Sequence, residues 1–149
     1  MAEAIGNCRC GKVVMAVTGE PVMTSACHCD GCKAMTASAF SLSALVPEAG
    51  FAVRSGEVVL GGARTPGLDH YFCPDCKSWL FTRIDGLDGL VNLRSPLFDR
   101  PDWSWPFIET MTAEKFHWVE VPAVHAYEGF PPMAAFETLM DEFSDRRPG

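Results

Sequence analysis

Long apolar runs and basic residues are both scarce in this sequence. The longest charge-free candidate for a membrane span, 34–47, is interrupted by serine and threonine, whereas a spanning helix needs about 18 or more apolar residues. The chain has 19 acidic and only 12 basic residues, and its formal net charge is −7. A general nucleic-acid surface needs a basic stripe. The sequence therefore predicts neither a membrane nor a nucleic acid as a partner.

A recognisable export signal is also lacking. The first seven residues, 1–7, contain neither the basic segment nor the apolar segment that begins a secretory signal peptide. Collagen-like repeats are excluded because the 13 glycines and 11 prolines show no period. A disordered chain is excluded because 10 Phe and 4 Trp, within 48% apolar residues, supply a core. We expect one domain over residues 1–149, located in the cytoplasm.

The seven cysteines are the unusual feature of this composition. A disulfide framework uses an even number of cysteines and an oxidising compartment, so the odd count favours thiolates with metal or redox chemistry. None of the seven stands alone, since they form three groups: Cys8 and Cys10; Cys27, Cys29 and Cys32; Cys73 and Cys76.

The spacing of these groups suggests one four-cysteine site and one three-cysteine site. Two cysteine pairs from distant segments, the first and third groups, can together close a tetrahedral zinc site. The middle group supplies three thiolates, and three protein ligands with one open position are typical of a catalytic zinc. Spacing alone does not force this partition, because Cys27 and Cys32 with Cys73 and Cys76 would also make four ligands.

Other interpretations of the cysteines remain open at this stage. Iron is compatible with four sulfur ligands. The Cys73–Cys76 pair has the spacing of a thioredoxin-like redox motif, although the surrounding βαβ pattern is missing. His28 lies between two ligands, and in an extended segment it points away from the face of Cys27 and Cys29. We therefore do not expect His28 to be a ligand.

An open three-thiolate zinc site would favour sulfur chemistry over water activation. Three anionic ligands make the metal electron-rich, but a fourth, exogenous thiol bound there stays deprotonated and nucleophilic at neutral pH. Addition of that sulfur to a small carbonyl compound would form a carbon–sulfur bond. Cys27, Cys29 and Cys32 are thus the candidate catalytic residues.

The segments between the cysteine groups predict a mainly β fold. Strands are predicted from β-branched composition and a period of two over 12–18, 40–46, 51–54, 57–60, 70–72, 79–84, 90–93 and 118–121. We expect 51–60 to form a hairpin around Ser55 and Gly56, and Cys73–Cys76 to form the turn of a second hairpin. The segment 95–106 is expected to be a long irregular loop.

A single helix is predicted near the C-terminus. Met133, Phe136, Met140 and Phe143 recur at spacings of three and four residues after two prolines, which suit a first helical turn. We expect this stripe to pack against the sheet. The four tryptophans are expected in the core or in pocket walls.

The three cysteine groups together resemble the glutathione-dependent formaldehyde-activating enzyme family, which includes the centromere protein V group. The resemblance runs from about residue 6 to about 132 and is carried by the segments 7–11, 27–33 and 72–76. It implies a zinc-containing β-sandwich of the β-tent type and two zinc ions per chain. One zinc would be structural, at Cys8, Cys10, Cys73 and Cys76, and one would bind glutathione, at Cys27, Cys29 and Cys32.

The resemblance also implies an activity, S-(hydroxymethyl)glutathione synthase, which is a carbon–sulfur lyase using a thiol such as glutathione and a small aldehyde. The alternative is a non-catalytic zinc-binding interaction module of the same fold. The family usually has glycine where this chain has Lys77. By position alone, His28, Asp30, Trp103 and Trp105 are candidates to line a pocket.

Overall fold

The computed structural model describes residues 3–63 and 65–146, and β-strands dominate this part of the chain, as predicted. Its eleven strands, in chain order, are β1 (Glu3–Asn7), β2 (Val14–Thr18), β3 (Met23–Cys27), β4 (Ser41–Pro47), β5 (Phe51–Ser55), β6 (Val59–Gly61), β7 (Leu68–Phe72), β8 (Trp79–Ile84), β9 (Leu90–Leu93), β10 (Ile108–Thr110) and β11 (His125–Ala126). The α-helices are α1 (Asp30–Thr36) and α2 (Phe136–Arg146). No helix of the described residues is long and apolar enough to cross a membrane.

The strands form two sheets of unequal size. The smaller sheet has three antiparallel strands in the order β1-β2-β5. The larger has eight, in the order β11-β10-β3-β4-β9-β8-β7-β6, and only its β11–β10 and β10–β3 pairs are parallel. The predicted hairpin around Cys73–Cys76 is present, because β7 pairs with β8 on either side of it.

The main core lies between the two sheets. Val13, Met15 and Val17 of the small sheet and its preceding turn are fully buried against Val46, Val91 and Leu93 of the large sheet. A β-bulge opposite Tyr71 and Phe72 shifts the register of β8, and the consecutive residues Leu80 and Phe81 both enter this cluster. The described residues therefore form a β-sandwich.

A second core cluster covers part of the large sheet with the C-terminal helix. Leu139 and Phe143 of α2 pack with Met23, Leu45 and Phe107. The predicted C-terminal helix is thus confirmed, but Met133 is 65% exposed and lies before it, so its assignment to the packed stripe is wrong.

Other parts of the predicted secondary structure also differ from the structure. Strands β5 and β6 do not pair with each other, since β5 joins the small sheet and β6 the large one. The segment 118–121 is not a strand, and 95–106 contains two short 3-10 turns, Ser95–Leu97 and Pro101–Ser104. Helix α1 was not predicted, because seven residues are too few to show a helical period.

Candidate metal centres and the adjoining cavity

Two hairpin turns bring four cysteines together at one end of the inter-sheet core. Cys8 and Cys10 lie in the turn between β1 and β2, and Cys73 and Cys76 lie in the turn between β7 and β8. Their sulfur atoms all lie within 4.8 Å of one another. Cys8 and Cys73 are buried, whereas Cys10 is exposed.

The sulfur atoms of this cluster, which we call the four-cysteine cluster, have the separations of a metal site. Tetrahedral ligands about 2.3 Å from a zinc ion are about 3.8 Å apart. The Cys8 and Cys10 Sγ atoms are 3.5 Å apart, and those of Cys10 and Cys73 are 3.8 Å apart. Backbone N–H groups of Val13 and Cys76 donate to the sulfurs of Cys8 and Cys73 at 3.3 and 3.5 Å.

The two turns of the four-cysteine cluster also contact each other directly. The backbone N–H of Arg9 donates to Ser78 Oγ at 3.0 Å, and Lys12 forms an ion pair with Asp75 at 3.1 Å. Ser78 Oγ lies 3.2 Å from Cys76 Sγ, and this hydrogen bond lowers the pKa of Cys76 to about 5. These contacts hold the hairpin turns in register.

The other three cysteines lie where β3 passes into α1. Cys27 ends β3, Cys29 is the N-cap of α1, and Cys32 lies in the first turn of that helix. The backbone N–H of Cys32 donates to Cys29 Sγ at 3.3 Å. The three sulfur atoms, here called the cysteine triad, lie within 4.8 Å of one another and are all half-buried.

Among the described residues, which include all seven cysteines and all four histidines, no further side chain joins the triad as a potential ligand. The grouping is therefore four and three, and the alternative in which Cys27 and Cys32 meet Cys73 and Cys76 is not the arrangement found.

The sulfurs of the triad differ strongly in acidity. Hydrogen bonds from Cys32 and Thr110 lower the pKa of Cys27 to about 5, against the opposing effect of burial. The pKa of Cys32 is raised, because it donates to Cys27 and is buried, and burial also raises the pKa of Cys29. Three adjacent thiolates repel one another. A bound cation would be needed for all three sulfurs to be ionised together.

His28 points away from the triad, as its position between two ligands predicted. Its ring is fully buried, and Nε2 lies 2.9 Å from Glu109 Oε1, which Lys115 also contacts at 2.7 Å. The ring meets Phe40 edge-on, with centroids 5.5 Å apart. His28 thus fixes the β3–α1 junction to the protein interior and is not a candidate ligand.

A cavity of about 500 Å³ adjoins the triad. Met35 and Thr36 of α1 line it, and so does Ser41 of β4, which lies directly opposite Cys27 of β3 in the paired strands. Its other walls include Lys77 and Ser78 from the turn of the four-cysteine cluster. The cavity therefore extends from beside the triad to beside the four-cysteine cluster.

Trp79 and Arg94 form one wall of this cavity, and only Arg94 was not foreseen from the sequence. Arg94 follows β9 directly and is only 6% exposed. Its guanidinium carbon lies 3.9 Å from the centroid of the Trp79 ring. The expectation that Trp79 lies in the core or in a pocket wall is thus confirmed. Arg94 could not be foreseen, because a lone arginine after a short strand carries no local sequence signal.

The residues proposed by position as pocket lining are not in the walls of this cavity. His28 belongs to the buried network, Trp103 is in the main core, and Trp105 is 39% exposed. Asp30 forms an ion pair with Lys33 on the surface of α1. Trp118, expected in the core or a pocket wall, is 67% exposed, so that expectation is wrong.

Comparisons with known proteins identify a family. The sequence model of the family described as "Glutathione-dependent formaldehyde-activating enzyme" matches residues 3–114, about three quarters of the chain. No curated protein sequence matches. A crystal structure of a Rhodobacter sphaeroides protein is similar, with a TM-score of 0.54 and 19% identity over 64% of this chain and 88% of that one. At this identity the likeness concerns the fold alone.

Proposed function

Because the chain belongs to the glutathione-dependent formaldehyde-activating enzyme family, we propose that it is a zinc-dependent carbon–sulfur lyase. Its substrate would be the adduct of a thiol and a small aldehyde, most simply glutathione and formaldehyde. The observation that carries the proposal is the cysteine triad, with three potential ligands beside a cavity of about 500 Å³. Cytoplasmic location is part of the same proposal, since cysteines stay reduced there.

The donor set of the four-cysteine cluster fits a structural zinc. Four thiolates at tetrahedral separations are the ligands of closed zinc sites, and the sulfur separations of 3.5 and 3.8 Å agree with that geometry. Such a zinc at Cys8, Cys10, Cys73 and Cys76 would tie the β1–β2 hairpin to the β7–β8 hairpin. Metal binding of this kind contributes folding free energy directly.

The triad fits a second zinc with one position left for substrate. Cys27, Cys29 and Cys32 would be its ligands, and the strands on either side of Cys27 place Ser41 and Thr110 directly opposite it. Zinc bound there would supply the means to keep the sulfur of an incoming thiol deprotonated at neutral pH. The walls of the cavity would hold the remainder of that thiol.

The reaction itself is the addition of sulfur to a carbonyl carbon. The thiol sulfur forms a bond to the aldehyde carbon, the C=O π pair moves to oxygen, and that oxygen takes the proton that the thiol gives up. The half-buried position of the triad limits the access of water to the sulfur. In the reverse direction the same carbon–sulfur bond breaks and the aldehyde is released.

The same substitution in the two clusters tests this proposal. Cys29→Ser should remove about one of two zinc ions per chain and abolish acceleration of adduct formation, measured by metal analysis and exchange NMR. The fold should persist, because serine is itself a favoured N-cap and can accept the Cys32 N–H. Cys10→Ser should instead lower the melting temperature strongly, although its side chain is exposed, because structural zinc contributes about 10 kcal/mol or more.

Two results would contradict the proposal. Full activity of Cys29→Ser would show that the triad does not act in the reaction. A wild-type protein with two zinc ions but no effect on the rate of adduct formation would support the non-catalytic interaction module instead.

A further inference from the structure

The cavity beside the triad is cationic in an acidic protein. The whole chain has a formal net charge of −7, yet the side chains lining this cavity include Arg94 and Lys77 and no aspartate or glutamate. A concave site whose walls carry charge of only one sign raises the local concentration of ligands of the opposite sign. The lining therefore favours an anionic ligand.

Arg94 is the buried cation of this wall and lacks an acidic partner. It is 6% exposed, and within the described ranges no carboxylate forms an ion pair with it and its Nε has no hydrogen-bond partner. A buried charge costs several kcal/mol unless it is paired and hydrogen-bonded. Because Nε itself has almost no accessible surface, an acceptor from outside the chain would reach the terminal nitrogens of this cavity-lining arginine.

The guanidinium is held in a fixed plane. Its carbon lies 3.9 Å from the Trp79 ring centroid, in the range of a cation–π contact. Trp79 is fixed in turn, because its Nε1–H donates to Thr82 Oγ1 at 3.2 Å and His70 meets its ring edge-on. The backbone N–H of Arg94 donates to Leu80 O at 3.1 Å. Such a rigid planar fork suits bidentate binding of a carboxylate.

Arg94 and the triad act on the same cavity. Ser41 lines the cavity and lies directly opposite Cys27 in the paired strands, and negative charge on the triad would act on Arg94 through space. A charge acting through space gives the guanidinium no hydrogen-bond acceptor. A ligand with a thiol at one end and a carboxylate at the other would satisfy both groups.

We propose that Arg94 is a specificity-determining residue that binds a carboxylate of the thiol substrate, so that the site selects acidic thiols over neutral ones. The inference rests on the proposed function for the thiol itself. It adds that the substrate class is a thiol bearing a carboxylate, of which glutathione is one example. Arg94 would position such a thiol with its sulfur towards the triad.

Binding without aldehyde tests this assignment. Zinc-loaded wild-type protein, Arg94→Met and the control Arg83→Met are titrated calorimetrically with glutathione and with its diethyl ester. Arg83 is a matched arginine on β8 that also lies over an aromatic ring, but it is on the surface, paired with Glu48. Wild type and Arg83→Met should bind glutathione about ten- to a hundredfold tighter than the ester, the value of a charge-assisted hydrogen bond.

Arg94→Met should lose this preference, because its affinity for glutathione should fall while its affinity for the ester stays unchanged. Arg94→Lys should recover part of the preference. The melting temperature of Arg94→Met should not fall, because methionine replaces a cation without an acidic partner. If Arg94→Met lowers the affinities for glutathione and for the ester equally, Arg94 is only a counter-ion of the thiolates and the proposal is overturned. An unchanged affinity of Arg94→Met for glutathione also overturns it. Since no aldehyde is present, these results are independent of whether the protein catalyses adduct formation.

Discussion

At the scale of single residues, two backbone conformations shape the turns that hold the four-cysteine cluster. Gly11 has φ +82° and Lys77 has φ +63°. The left-handed conformation at Lys77 allows its N–H to donate to Cys73 O at 3.0 Å and to close the turn around the sulfurs. A side chain in this conformation costs about 1–2 kcal/mol, which glycine would avoid.

Lys77→Gly should therefore stabilise the protein relative to Lys77→Ala by about 1 kcal/mol. Both variants delete the Nζ bond to Pro74 O, so the comparison isolates the backbone. Urea unfolding of the zinc-loaded proteins measures the difference. A glycine variant no more stable than the alanine variant would show that the turn carries no strain at Lys77.

At the scale of elements, the junction between β3 and α1 places the triad. Cys27 is fixed by the pairing of β3 with β4 and β10. His28, next in the chain, turns inwards to Glu109 of β10, and Cys29 begins the helix. The alternation of side chains in the extended segment thus sends the sulfurs to one face and the imidazole to the other.

Removing the carboxylate of Glu109, which contacts His28 at this junction, should lower the free energy of unfolding by about 3 kcal/mol. Glu109→Ala leaves the fully buried His28 and the amine of Lys115 without their shared carboxylate. Glu142→Ala is the matched control, because its His125 pair is about one third exposed, and it should cost about 1 kcal/mol or less. Denaturant unfolding compares them, and equal losses would contradict a supporting role for the buried pair.

The elements also show why some pairings were predictable and others were not. The Cys73–Cys76 hairpin follows from local turn residues between two strands that pair with each other. Ser55 and Gly56 look equally like a turn, but a Cβ at Gly56 would lie 2.3 Å from the carbonyl oxygen of Lys12. At Gly56 the chain packs against the turn between β1 and β2 and crosses from the small sheet to the large one. No local sequence pattern predicts this crossing.

At the scale of the whole molecule, the site combines a local motif with long-range packing. The cysteine groups and the exclusion of His28 were predictable, because the cysteines of each group lie within a few residues of one another in the sequence. The cavity was not, since its walls come from α1, β4, the Cys73–Cys76 hairpin and the residues after β9. Arg94 acquires its role only when the large sheet brings it over Trp79.

The four-cysteine cluster and the cavity beside the triad share one turn of the large sheet. The four-cysteine cluster connects a turn of the small sheet with a turn of the large one, and the same large-sheet turn contributes Lys77 and Ser78 to the cavity wall. A zinc ion in the four-cysteine cluster would thereby fix one wall of the cavity beside the triad. The stability of the fold and the shape of the cavity depend on the same hairpin.

Cobalt(II) substitution tests the central claim, that the triad binds a metal whose remaining position takes the substrate thiol. The charge-transfer absorption between sulfur and cobalt grows with each thiolate ligand, so titration of the cobalt-loaded protein with glutathione should increase it and saturate at one glutathione per chain. Cys29→Ser should lack the increase. A spectrum that saturating glutathione leaves unchanged in the wild-type protein would contradict the account.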